Sequence, residues 1–211
     1  MEISHYEIME LYNTILSKDI QKCIDLYLEM KEIENVDNVI KRKLWEEDKK
    51  IGGIGGYCMP ANPINNPFPG GIKREFYRPL QYARSNIDIL DLSLTSRYII
   101  QSCGMHLESI CRELLKRNNL IKIRFNNMTL GKLINKICEQ KILPKEIIDA
   151  LFKFVKIYNK SKHEVNQSNK RERLFNSKDA LAIYFIVRIL GVKILRGMKI
   201  EDSFYEYELV D

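Results

Sequence analysis

The sequence predicts an all-α protein, an antiparallel bundle of four to five helices with an N-terminal helical appendage. Three observations predict it. Apolar residues recur at three- and four-residue spacing through most of the chain, helix-ending residues fall between those runs, and only Leu120–Phe125 alternates with the period of a strand. That exception reads as a short connector. The chain divides into an appendage over residues 1–50, a Gly/Pro-rich loop over 51–72, a bundle over 73–200 and an acidic tail over 201–211.

Two helices are expected in the appendage, over residues 4–17 and from 19 to about 48, parted near Ser17-Lys18-Asp19. The second carries Ile20, Ile24, Tyr27 and Leu28, then Val36, Ile40 and Leu44 beyond a weak patch at Asn35, with acidic residues dominating the exposed positions. Residues 51–71 hold six glycines and four prolines, which exclude a helix or a central strand. Gly52-Gly53-x-Gly55-Gly56 lacks the preceding strand and the following Gly-Lys-Ser/Thr of a phosphate-cradling loop, so it reads as a connection. Helical character resumes at Glu75, with a turn expected near Arg84–Asp88. Ile99, Cys103, Leu107, Ile110 and Leu114 then form one face that stops at Arg117-Asn-Asn119. Thr129 is placed to cap a short helix carrying Leu130, Leu133, Ile134 and Ile137. Pro144 opens the next helix, and Asn176 or Ser177 caps a last one, from 178 to about 195, apolar on most sides and therefore the most buried.

Charge is unevenly spread. Residues 1–50 carry 8 basic and 12 acidic side chains, a net of −4, which leaves +10 on residues 51–211. Seven bases (Lys153, Lys156, Lys160, Lys162, Lys170, Arg171, Arg173) and two acids fall within 153–173, a run that suits a polyanion or a solvated face. The tail from Glu201 has five acids and no base, which suits folding back on the basic segment, a partner contact or a solvated terminus. Five cysteines without a C-x-x-C pair and three separated histidines predict reduced thiols and no metal or cofactor. The longest apolar run, Ala180–Val187, ends at Arg188 and is far too short to cross a membrane. With no basic-then-apolar start in the first twenty residues, a soluble cytoplasmic protein is expected.

One helix carries chemistry. In Phe152–Val165, Lys156, Asn159 and His163 fall at i, i+3 and i+7 and share a stripe beside the apolar positions Ile148, Leu151, Val155 and Tyr158. The order of elements around it is a helix, Thr129-Leu-Gly-Lys-Leu-Ile134, a Pro-started helix with Asn159-x-x-x-His163, a polar loop and a capped apolar helix. Over residues 90–197 this resembles the HEPN superfamily of helical-bundle domains. Members commonly carry an Arg followed by four to six residues and a His, often as Arg-Asn-x-x-x-His, and many are metal-independent ribonucleases of toxin, abortive-infection and CRISPR systems. The resemblance implies a bacterial defence or toxin-type setting, a homodimer and an RNA site where two such helices face each other. The sequence departs from the motif at Tyr158, which stands where arginine is most common, and Lys156 is the cation at a neighbouring turn.

Two readings of this stripe stay open. Metal-free RNA cleavage needs proton transfer and positive charge at the phosphate, which His163, Asn159 and Lys156 would supply, with Lys160, Lys162, Lys170, Arg171 and Arg173 holding nucleic acid. Alternatively Asn159 and His163 hydrogen-bond each other or a neighbouring helix, and the chain is a non-catalytic interaction module. In either case the expected partners are a second copy, RNA, or a protein reached through the N-terminal helices or the acidic tail. His106, at the edge of an apolar face, reads as a core residue, with Glu108 and Glu113 nearby.

Overall fold

The computed structural model describes residues 10–11, 15–32, 37–52, 71–89, 91–121, 128–163 and 174–198, and these form an all-α bundle. Its helices are α1 (Lys18–Glu32), α2 (Asn38–Ile51), α3 (Gly71–Ile89), α4 (Leu92–Arg117), α5 (Leu130–Glu139), α6 (Lys145–His163) and α7 (Ser177–Gly197). Most of the helix expected over 4–17, most of the Leu120–Phe125 segment, the loop over 53–70 and the tail over 201–211 lie outside the described residues.

Capping chemistry sets several boundaries. Asp37, Asp91 and Asn176 each accept a backbone N–H at the start of α2, α4 and α7, and Asp179 returns a bond to the Asn176 backbone to complete a capping box. The helix expected over 19–48 is two helices, the second starting anew at the Asp37 cap. Thr129 has the extended backbone of a cap, but its side chain makes no capping bond. The turn expected near Arg84–Asp88 is absent: α3 runs through to Ile89, and the N-cap of the next helix is Asp91. The polar residues that suggested a turn are turned inward instead, Arg84 against the Trp45 ring and Asp88 onto the Trp45 indole N–H.

α4 is the axis of the bundle, in contact with α3, α5, α6 and α7. α7 lies across it and is buried on nearly every side, as its composition predicts. Residues 18–52 pack on this bundle within one chain. The Tyr27 hydroxyl and the Lys31 ammonium both donate to the Ile87 carbonyl, at 2.9 and 3.0 Å. α2 is held to α7 by a fully buried ion pair in which Arg188 Nε donates to Asp48 Oδ1 at 2.7 Å. Arg188 Nη2 also donates to the Asp48 and Gly52 carbonyls, at 3.1 and 2.9 Å. Burial acts to lower the Arg188 pKa, but the neighbouring Asp48 overrides it, and the guanidinium stays charged.

His106 is a core residue, as its position on α4 suggests. Nδ1–H donates to the Phe76 carbonyl at 2.5 Å, which leaves Nε2 as the unprotonated nitrogen, and Nε2 lies against Gly191 of α7. A Cβ on Gly191 would meet the ring at less than 3.0 Å, so α4 and α7 can approach here only over a glycine. Glu108 and Glu113 take no part; they pair with Arg112 and Arg117 one turn on.

Burial drives the His106 pKa down from 6.5 to about 3, outweighing the Phe76 carbonyl, which favours the proton. In the unfolded chain the ring protonates near 6.5, so between that pH and about 3 the unfolded state binds the extra proton and stability falls with pH. Urea unfolding at pH 6, 5 and 4 should show the native protein losing stability faster than His106→Asn, by up to about 1.4 kcal/mol per pH unit. Parallel curves for the two proteins would remove His106 as the cause.

Candidate functional site

The C-terminal half of α6 is built by packing on one side and solvent on the other. Ile147, Leu151, Phe154 and Tyr158 recur at helical spacing and are buried; the helix starts at Pro144, whose carbonyl accepts from Ile147 and Ile148. Tyr158 stacks on Phe154 with ring centroids 6.0 Å apart, and its ring fills a notch over Gly104 of α4. The Ser161 hydroxyl donates to the Tyr158 carbonyl, and the Ser161 carbonyl accepts from Gln101 of α4 at 2.9 Å. The end of α6 is thus held to α4 at two points, Gly104 and Gln101.

Lys156, Asn159 and His163 emerge together on the opposite, exposed face. Among the described residues none of the three side chains has a hydrogen-bond or ion-pair partner, so the buried polar pair considered for Asn159 and His163 does not form. Both point to water because the apolar stripe, with Tyr158 at its end, takes the inward positions. Lys162 is exposed as well, and its ammonium lies 3.7 Å from the Tyr158 ring centre, a cation–π contact that holds charge close to the surface. Lys160 is half-buried on the same turn. Lys170, Arg171 and Arg173 lie outside the described residues.

The arrangement offers one imidazole, an amide and several ammonium groups on an open surface. Ammonium and amide N–H groups of this kind are donors suited to phosphate oxygens. Among the described residues His163 is the single imidazole on this face. α4, which holds the end of α6 through Gln101, presents Leu94, Tyr98 and Met105 at helical spacing, each about half exposed. Comparison with protein-family models, curated proteins and solved structures found no significant match.

Two features escaped sequence reasoning. Gly104 sits mid-helix in an ordinary-looking pattern, and only the position of Tyr158 opposite it shows why glycine is there. The cluster of Trp45, Asp48, Arg84 and Arg188 joins three helices that are distant in sequence. Its one sequence signal is Arg188, a charge inside the most apolar helix. Among the described residues no helix is long and apolar enough to cross a membrane, and no group of three metal-ligating side chains occurs. The thiols of Cys23, Cys103, Cys111 and Cys138 are free, and burial pushes Cys103 and Cys111 well above the usual thiol range.

Proposed function

We propose that the protein is an RNA-directed, HEPN-like helical protein whose exposed Lys156–Asn159–His163 stripe binds the RNA backbone. In a homodimer that pairs two such stripes, His163 moves the proton in metal-independent cleavage. The observation that carries this reading is the exposure of all three side chains on one helical face, unengaged among the described residues. Polar groups left to solvent on a well-packed helix are free to meet phosphate, and Lys156 and Lys162 supply charge on either side of Asn159. A second copy would provide the missing second imidazole, and the apolar stripe of Leu94, Tyr98 and Met105 offers surface for pairing.

Incubation of the purified protein with single-stranded RNA in excess chelator should yield cleavage products. His163→Ala should abolish cleavage with little change in RNA affinity, whereas Lys156→Ala/Lys162→Ala should weaken binding about tenfold and flatten its salt dependence. Cleavage that survives in His163→Ala would refute the catalytic role. One observation favours a second reading, a non-catalytic interaction module: the position that holds arginine in similar proteins is here Tyr158, buried in the core. RNA binding without cleavage would select that reading, and failure to bind RNA at all would remove the first.

A further inference from the structure

Between α2 and α3 lies a groove of about 520 Å³, within the size range of small-molecule sites. The N-terminal helices were expected to show mainly acidic residues, but α2 gathers five of the eight bases of residues 1–50. Lys41, Arg42 and Lys49 line the groove with Trp45, and Arg84 and Asp88 enter from α3. Four cations face two acids there, Glu46 and Asp88. Asp88 is already engaged, accepting from the Trp45 indole N–H at 3.1 Å and pairing with Lys41 at 3.4 Å. Arg42 and Lys49 are exposed and have no ion pair among the described residues.

The wall of the groove is rigid. Arg84, only 4% exposed, lies 3.8 Å over the centre of the Trp45 ring, and its Nη1 is 3.7 Å from Asp48 Oδ2. Asp48 is in turn fixed by Arg188. Two guanidinium groups thus share one buried carboxylate, an expensive arrangement that apolar residues of similar size would replace at little or no cost in stability. What it provides is a preorganised positive wall behind flexible outer cations.

We propose that this groove binds a small phosphate-bearing anion with two or more negative charges, a diphosphate or an organic ester of one. Several cations spread along a groove suit multiple charges better than a single carboxylate; the exposed Arg42 and Lys49 supply the donors, and Arg84 behind them adds charge. Since one Trp45 face is covered by Arg84, the ligand is recognised by its charge and not by stacking on that ring. The site is separate from the α6 face and does not depend on the RNA reading.

Trp45 is the single tryptophan of the chain, so its fluorescence reports this groove directly. Titration of the full chain with inorganic pyrophosphate in physiological salt should give a saturable change with half-saturation below about 1 mM. Arg42→Ala/Lys49→Ala, both exposed positions, should weaken it about tenfold with an unchanged circular dichroism spectrum, while Lys193→Ala on α7 should leave it unaltered. No saturable response, undiminished binding in the double variant, equal affinity for sulfate, or a response only to an RNA oligonucleotide would each overturn the proposal.

Discussion

Asp48→Ala should destabilise the protein by about 3–5 kcal/mol, the range for breaking a buried pair by removing one partner. The alanine strands Arg188, which is fully buried, without its carboxylate, and it takes the counter-charge from Arg84 in the same step. A loss of that size is a large part of the roughly 5–15 kcal/mol that holds a domain folded. Exchanging both partners for apolar residues, as in Asp48→Leu/Arg188→Met, should recover only part of the loss, because the desolvation cost of Arg188 disappears while Arg84 stays charged without its carboxylate. Chemical denaturation of the three proteins decides the matter. A deficit below about 1 kcal/mol for the single variant would mean that water reaches the cluster and screens it.

Gly104→Ala should also strike hard, with an expected loss of about 3 kcal/mol, at the upper end for overpacking. The added methyl would fall less than 3.0 Å from three atoms of the Tyr158 ring, and that ring is itself pinned between Phe154 and α4. Alanine is the better helix former by about 1 kcal/mol, so a net loss reports steric conflict alone. Tyr158→Leu in the same protein should return part of the stability, giving a coupling of at least about 1 kcal/mol in a double-mutant cycle. Additive effects would show that the two residues do not share the notch. The same geometry predicts that Tyr158→Arg destabilises the protein, since the charge would enter a buried site. A folded Tyr158→Arg protein of native stability would contradict this.

The arrangement of helices was largely legible because it rests on local chemistry. Apolar spacing marks α4, α5, α6 and α7, and Pro144 and Asn176 mark the starts of α6 and α7; these signals act over one or two turns and need no partner. Where the reading slipped, at Arg84–Asp88 and at the division of the helix expected over 19–48, polar residues inside or beside a helix were ambiguous. A polar pair mid-sequence looks the same whether it ends a helix or turns inward to meet a tryptophan from another one.

The site divides along the same line. Periodicity alone put Lys156, Asn159 and His163 on one stripe, since a helix fixes angular positions from sequence spacing. Whether that stripe faced water or protein depended on which side α4 approached, and that was decided by Gly104 receiving the Tyr158 ring. Likewise the charges of Asp48, Arg84 and Arg188 were visible as residues, but their meeting, and the positive groove in front of them, came only from packing. Local hydrogen bonding and helical period are written in the order of neighbours along the chain. Burial, ion pairing and close helix contact arise between residues tens to well over a hundred positions apart, so only the folded structure determines them.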